Sequence, residues 1–229
     1  MKFICANELP FDVRPQMSYL FVEGFYSWIK YFSKDKDKLK ETFKHIFDLE
    51  YFYVAVEDGD EKANASLSEG SVAGVPPAER RGLGQCPIEN GKIVAMTATT
   101  KGHAPITLQR KEFTKALGYI KGCITYYILN KHMVRNAYPF TLSPKTGTIE
   151  FVATAPDYRG KGIAFDLISF IINRKGTLFT SYILEVADTN EIAVRLYEKL
   201  GFKEIKRVKA PNPKRSGVNY FLYMRRDLE

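Results

Sequence analysis

A basic, glycine-containing loop is the stretch of this sequence best suited to bind an anion. Arg159 and Lys161 alternate with Gly160 and Gly162, and apolar residues at helical spacing begin at Ile163. Glycine lets the backbone approach a ligand closely, and the first N–H groups of a helix lack internal partners and carry partial positive charge. The loop is therefore suited to phosphate, although basic glycine turns also occur on ordinary protein surfaces.

The spacing in this loop matches neither of the two common nucleotide-binding signatures. Gly-x-x-x-x-Gly-Lys-Ser/Thr is absent, and so is Gly-x-Gly-x-x-Gly followed by an acidic residue about twenty positions on. Instead, the run from Arg159 to Ala164, Arg-Gly-Lys-Gly-Ile-Ala, resembles the Arg/Gln-x-x-Gly-x-Gly/Ala motif of the GNAT acetyltransferase superfamily. In that family the loop grips the pyrophosphate of acetyl-CoA.

A second segment extends the resemblance. Glu185 to Asn190 and then Ala193 to Phe202 are similar to the strand, Asn and helix of the family, which end in Leu-Tyr-x-x-x-Gly-Phe. Two motifs in the family's order are stronger evidence than one. Together they cover roughly residues 148–202, whereas the amino-terminal third matches only in outline.

The resemblance implies that acetyl-CoA is the cosubstrate, and it implies roles by position. Backbone groups of Val152, Ala153 and Thr154 would pair with the pantetheine arm as if it were an added β-strand. Asn190 would contact the cofactor near its thioester end. Backbone amides and side chains of the loop and helix start would hold the pyrophosphate, namely Arg159, Gly160, Lys161, Gly162, Ile163, Ala164 and Phe165.

Tyr197 would contact the cofactor and give its proton to the departing CoA thiolate. Structural alternatives exist for two of these residues, because Asn190 could cap the helix that follows it and Tyr197 could pack in the core. The structural and functional roles are compatible. With the motif intact, the functional interpretation is favoured for Tyr197.

Glu150 and Glu185 are the candidates for the general base. An amine attacks a thioester only when it is neutral, so the site must remove a proton from the ammonium. Glu150 shares a strand face with Val152 and Thr154, and Glu185 lies on the following strand. Family members are similar in using a glutamate on one of these strands, but strand glutamates also form edge or ion-pair contacts. The choice between the two stays open, and the chemistry requires neither a metal nor a covalent enzyme intermediate.

The elements that position these residues predict an α/β fold in which helices flank a sheet. The resemblance implies a mixed, mostly antiparallel central sheet that splays open for acetyl-CoA between the strand at 149–155 and the strand at 182–187. Apolar periodicity predicts further strands at 3–6, 51–56, 92–99, 202–209 and 219–225. It predicts helices at 13–32, 39–47, 108–135, from 163 onward and at 191–200, with the third interrupted by Gly118 and Gly122.

Length and composition favour a single domain over residues 1–229, and the resemblance implies that this domain is GNAT-like. A content of 45% hydrophobic residues suffices for a substantial core. The segment at about 58–90 is rich in Gly, Ser, Ala and Pro and predicts a flexible insertion. The net charge of +8 suits an anionic ligand, whereas nucleic acid is a poor alternative because the basic pairs are scattered.

The remaining expectations concern compartment, partners and the acceptor. Three cysteines without a Cys-x-x-Cys pair argue against a disulfide scaffold and a zinc site, which favours the cytoplasm. No run predicts a signal peptide or a membrane span. The acceptor amine could belong to a small molecule or to a protein, and exposed terminal strands suggest a homodimer. The alternative function is a non-catalytic acyl-CoA-binding regulatory module with the same fold.

Overall fold

The computed structural model describes residues 1–57, 91–134, 138–211 and 213–228. The insertion expected at about 58–90 lies outside the described residues. The strands are β1 Lys2–Cys5, β2 Phe52–Glu57, β3 Lys92–Ala98, β4 Thr146–Thr148, β5 Glu150–Thr154, β6 Ser181–Ala187, β7 Lys203–Lys209 and β8 Tyr220–Asp227. The helices are α1 Arg14–Ile29, α2 Lys36–Phe43, α3 Arg110–Leu117, α4 Tyr119–Leu129, α5 Ile163–Lys175, α6 Glu191–Lys199 and α7 Pro213–Ser216.

The strands form two four-stranded sheets, in the orders β1-β2-β3-β5 and β4-β6-β8-β7. The pair β4 and β6 is parallel, and the other pairings among the described strands are antiparallel. Because β4 and β5 follow each other directly, one stretch of chain belongs first to one sheet and then to the other. The expected mixed, mostly antiparallel sheet that splays open beside this stretch is confirmed.

The point of divergence has an unusual backbone conformation. Ile149 donates its backbone N–H to the carbonyl of Ile183 at 2.9 Å, which is the end of the pairing with β6. Phe151 then has φ +54°, a value that is costly for a bulky side chain. Its ring lies 6.0 Å from those of Phe21 and Phe25, and this aromatic packing offsets the strain. The strand predicted at 149–155 is confirmed as β5, whereas the short strand β4 before it, which pairs with β6, was not predicted.

Two hydrophobic cores lie on opposite faces of the first sheet. Phe52 and Val54 belong to the core beneath α1 and α2, while the alternate residues Tyr53 and Ala55 belong to the core beneath α5. This division follows from the two-residue period of a strand. Buried on both faces, β2 and β3 form a rigid platform for the divergent strand β5.

The second helix begins inside the charged stretch at 34–38, before the start at residue 39 that apolar periodicity predicts. Asp35 caps α2 by accepting backbone N–H groups of Asp37 and Lys38 at 2.9 and 3.1 Å, so the helix begins at Lys36. A charged segment with a good N-cap residue is a helix start. The helix ends at Phe43, earlier than the predicted range of 39–47.

The long helix predicted at 108–135 is two helices that fold back on each other. Gly118 has φ +83° and makes the turn between α3 and α4. At Gly122 an added Cβ would lie 2.5 Å from the backbone oxygen of Phe113, so a larger residue could not fit there. The two expected interruptions thus have different causes, a turn at one glycine and close helix packing at the other.

Within the described ranges, no helix is both long and apolar enough to cross a membrane.

Candidate active site

The glycine loop has the backbone conformation that an anion site at a helix start requires. Gly160 and Gly162 have φ values of +74° and +80°, and Gly162 is the N-cap of α5. A Cβ at either position would meet no protein atom within 4 Å. The first i to i−4 bond of α5 runs from Asp166 to Gly162, so the N–H groups before Asp166 lack a partner within the helix. Open space and unpaired donors therefore meet at the residues predicted to hold pyrophosphate.

The basic side chains near the loop have different tasks. Arg159 donates to the backbone oxygens of Thr154 at 3.2 Å and Glu23 at 3.5 Å, so it ties the loop to β5 and α1. Lys161 and Lys92 both lie 4.7 Å from the centre of the Tyr158 ring. Lys92 adds a cation that the sequence motif did not include, because it comes from the distant strand β3.

The tyrosine between these lysines is held in place by its hydroxyl group. Tyr158 donates to the carboxylate of Glu57 and accepts from Lys92 at 3.2 Å. These contacts orient the ring on which both ammonium groups rest. The result is a preformed cationic edge beside the glycine loop.

One edge of β5 is available for an extended ligand. Thr154 and Ala153 pair with Ala95 and Met96 of β3, whereas no described strand pairs with the opposite edge of β5. The free edge faces the gap that opens toward β6, and unpaired backbone groups of an edge strand can bind an added chain. Val152, Ala153 and Thr154, predicted to contact pantetheine, belong to this strand, and the carbonyl of Thr154 accepts a hydrogen bond from Arg159.

Glu150 is the first residue of β5, where the chain leaves β6, and its side chain is half-buried. Its carboxyl group accepts a hydrogen bond from Tyr138, with 3.5 Å between Tyr138 Oη and Glu150 Oε1. Thr148 forms a second hydrogen bond with the same carboxyl group. The pKa of Glu150 is raised to about 7, mainly by burial and in smaller part by the charge of Glu185, while the two hydrogen bonds oppose the shift. This carboxyl therefore exchanges protons near neutral pH.

Glu185 is the neighbour of Glu150 across the gap. In the parallel pair of β4 and β6, Thr148 lies opposite Ile183. Glu150 and Glu185 each follow that pair by two residues along the chain. Glu185 keeps contact with solvent, yet the protein atoms around it raise its pKa, and a hydrogen bond with Tyr223 opposes that shift. The structure thus brings the two predicted candidates together, and burial raises the pKa of both.

Two tyrosines of this cluster were missed by the sequence analysis. Tyr223 pairs with Glu185 across β6 and β8, so knowledge of the strand register would have found it. Tyr138 comes from the segment before β4, and its burial raises its pKa. Its ring lies 5.9 Å from that of Tyr223. No local pattern marked Tyr138, because its position depends on the tertiary fold.

Asn190 and Tyr197 both have the structural roles that the sequence offered as alternatives. Asn190 caps α6, since its Oδ1 accepts the N–H of Ala193 at 3.3 Å. Tyr197 is 6% exposed, its ring packs on Phe202, and burial raises its pKa. It belongs to the core on the face of β6 opposite to Glu185, so the predicted acid and base stand on different sides of the strand.

A cavity of about 650 Å³ lies at the mouth of the gap. Its walls are the outer face of α1, Ile128 of α4, the end of β6, the 210–218 segment and β8. In its wall the rings of Trp28 and Phe221 contact each other, with their centres 6.1 Å apart. Phe221 pairs with Ala187 just as Tyr223 pairs with Glu185, so the cavity opens on the face that carries Glu185. Phe221 was not singled out by the sequence analysis, because it reaches the cavity through the register of β8 with β6.

Among the residues that the structure describes, no group of three or more His, Cys, Asp or Glu side chains could hold a metal ion.

Comparisons with known proteins agree on a family. The family model described as acetyltransferase (GNAT) family matches residues 88–202, half of the chain. A comparison with curated protein sequences found no match.

Solved structures similar to the chain include three that match over nearly its whole length. An N-acetyltransferase from Staphylococcus aureus Mu50 has a TM-score of 0.55 at 14% identity, over 99% of this chain and 100% of that one. A protein from Pyrococcus horikoshii OT3 has a TM-score of 0.52 at 16% identity, over 100% and 98%. A protein from Streptococcus mutans UA159 has a TM-score of 0.51 at 17% identity, over 100% of both chains. At these identities the likeness concerns the fold.

Proposed function

The chain belongs to the acetyltransferase (GNAT) family, whose chemistry is acyl transfer from acyl-CoA, and on this premise we propose that it moves an acetyl group from acetyl-CoA directly to a primary amine. The observation that carries the proposal is the half-buried Glu150 at the point where β5 leaves β6. A carboxyl with a pKa of about 7 can take a proton from an ammonium group at physiological pH. It stands beside a free strand edge that suits the arm of the cofactor.

The residues around the gap fit acetyl-CoA in both charge and shape. The open N–H groups at the start of α5, with Lys161 beside them, suit the pyrophosphate. The free edge of β5 at Val152, Ala153 and Thr154 suits the amide groups of pantetheine. When bound, acetyl-CoA supplies an activated thioester at the mouth of the gap.

Glu150 acts as the general base in this proposal. It accepts a proton from the acceptor ammonium, directly or through a water molecule, and the amine becomes nucleophilic. Backbone N–H groups of the divergent strand polarise the acetyl carbonyl. The negative charge of Glu185 helps to raise the pKa of Glu150, which favours proton uptake by Glu150 close to neutral pH.

Tyr197 acts as the general acid and protonates the leaving thiolate. Burial raises the pKa of its phenol, so the side chain remains protonated at the working pH. Asn190 caps α6 and thereby fixes the helix that carries this tyrosine.

A thiol-release assay with acetyl-CoA and a panel of primary amines tests the proposal. We expect thiol release that depends on both acetyl-CoA and amine and is saturable in each. Tight binding of acetyl-CoA without thiol release for any amine would contradict the proposal and favour the regulatory acyl-CoA-binding module. The cytoplasmic location and the homodimer stay predictions.

A further inference from the structure

We propose that the acceptor is a monoamine whose primary amino group is carried on an uncharged, apolar body, with an aromatic ring as the best fit. The inference rests on the proposed function, because it identifies the class of amine that the same site receives. It concerns the cavity at the mouth of the gap and the side chains that line it.

The cavity wall is apolar and aromatic. Its larger side chains are Trp28, Tyr31, Phe32, Ile128 and Phe221. None of the described residues that line the cavity is charged. A second ammonium or a carboxylate on the acceptor would lose hydration there and find only neutral polar partners, such as Ser27 and Thr189, so its charge would stay unpaired. The volume of about 650 Å³ lies within the usual range for a small-molecule pocket.

The free space beside the aromatic wall comes from small residues on α1. Gly24 and Ser27 lie one turn or less from Trp28 on the same helix and line the same cavity. An added Cβ at Gly24 would come within 3.1 Å of the Cβ of Ala153 on β5, so this glycine also brings α1 close to the divergent strand. The aromatic wall is therefore held next to the expected path of the cofactor.

The position of the acid pair sets the orientation of the acceptor. Phe221 pairs with Ala187, and the next pair on the same face along β6 and β8 is Tyr223 with Glu185. Two residues along a strand span about 7 Å. An amine joined to a ring by a short linker can place its ring on Phe221 and its ammonium near Glu185 and Glu150. A longer flexible body would extend beyond the apolar wall.

The exposure of the wall leaves apolar surface for a ligand to cover. Trp28 is 42% exposed and Tyr31, three residues on, is 51% exposed. Covering aromatic surface in a concave site is favourable, and Trp and Tyr residues dominate many binding energies. The structure thus provides both the attraction for a ring and a reason to exclude charged acceptors.

Trp28 is the single tryptophan of the chain, so its fluorescence reports directly on this cavity. We would titrate the protein with 2-phenylethylamine and separately with spermidine, and measure thiol release with both amines and with a lysine-containing peptide. We expect a saturable fluorescence change with 2-phenylethylamine, at least about tenfold weaker binding of spermidine, and a kcat/KM at least about tenfold higher for 2-phenylethylamine.

Matched variants separate the cavity from other exposed aromatic surface. Trp28→Leu is expected to raise KM for 2-phenylethylamine by about tenfold and to change kcat little, because it removes ring contact and leaves the acid pair intact. Tyr119→Leu is the control, since Tyr119 is 75% exposed on α4 and does not line the cavity. It should leave KM unchanged.

Each outcome decides either the inference or the proposed function. Preference for spermidine or the peptide, or absence of 2-phenylethylamine binding, overturns the inference and leaves amine acetylation standing if those amines turn over. An unchanged KM in Trp28→Leu also overturns it. If 2-phenylethylamine binds but no amine releases thiol, the cavity assignment stands and acetyl transfer fails.

Discussion

The two sides of the gap between β5 and β6 are built in different ways. The cofactor side is one continuous stretch, from β4 through the glycine loop into α5, and it offers mainly backbone groups. The acceptor side is assembled from α1, α4, the 210–218 segment and β8, and it offers side chains. A cofactor held by backbone geometry leaves a local sequence motif, whereas a pocket of scattered side chains leaves none.

The largest effect is expected from a substitution that removes the general base and leaves the acetyl-CoA site unchanged. Glu150→Gln should lower kcat by about 10²- to 10³-fold because it removes the general base. Because the base must be ionised, the wild-type rate should rise with pH and level off above about pH 7. The variant should lose this rising limb of the pH–rate profile. Steady-state kinetics across pH, with the acetyl-CoA dissociation constant as control, measures both.

Glu185→Gln provides the comparison for that result. We expect a smaller loss of kcat and a pH limb that moves to lower pH, because one negative charge near Glu150 is removed. If Glu185→Gln abolishes the limb and Glu150→Gln keeps it, the roles of the two glutamates are reversed.

A glycine substitution tests the backbone character of the cofactor side. Gly162→Val forces a β-branched residue into φ +80° and should weaken acetyl-CoA binding by about 30-fold or more. Gly118→Val is a matched control, since φ is +83° and a Cβ there also meets no atom within 4 Å. Calorimetry should find unchanged acetyl-CoA affinity in the control. Equal losses in both variants would mean that general strain, not the loop, is responsible.

The half-buried carboxyl at the gap should also cost stability. Because the pKa of Glu150 is raised to about 7 in the folded protein, stability is greatest below the ordinary pKa of 4.5 and falls as pH rises through about 7. Glu150→Gln should therefore raise the free energy of unfolding by about 2 kcal/mol at about pH 8 relative to its effect at about pH 4. Urea unfolding at the two pH values checks this. A pH-independent difference would contradict the burial of this group.

A smaller effect is expected on the opposite face of β6. Tyr197→Phe should lower kcat about tenfold and leave acetyl-CoA affinity and stability nearly unchanged, because it removes only the proton donor. The buried ring and its contact with Phe202 are kept. Wild-type turnover in this variant would leave Tyr197 with its packing role alone.

The smallest effect separates the two roles of Asn190. Asn190→Ala should destabilise the protein by about 1 kcal/mol through loss of the α6 cap, whereas Asn190→Ser should restore most of that stability. If Asn190 also contacts the cofactor, the serine variant will keep a weaker acetyl-CoA affinity. Thermal unfolding and calorimetry on both variants distinguish the roles, and full recovery of affinity by serine would leave the cap as its only role.

The sequence predicted the parts of the site that depend on local backbone rules. The loop at Gly160 and Gly162, the start of the helix at Ile163 and the splayed sheet follow from glycine spacing, helix periodicity and family resemblance. The sequence could not rank Glu150 above Glu185, because burial depends on neighbours such as Tyr138 that are distant in the fold or lie beyond any periodic element.

Other features were beyond local patterns for the same reason. Apolar periodicity extended one helix through Gly118, whereas the positive φ of that glycine turns the chain and leaves Ile120 and Ile124 exposed. The aromatic wall of the cavity unites Trp28 with Phe221, which are far apart in sequence. A pattern that spans one element cannot predict a contact between two such elements.

Calorimetric titration with acetyl-CoA, dephospho-CoA and ATP tests the central claim most directly. If the glycine loop and the free edge of β5 form one cofactor slot, acetyl-CoA will bind saturably, dephospho-CoA will bind nearly as well because it keeps pyrophosphate and pantetheine, and ATP will bind at least about tenfold more weakly. Equal affinity for ATP would mean that the loop recognises phosphate alone. Absence of acetyl-CoA binding would contradict the account.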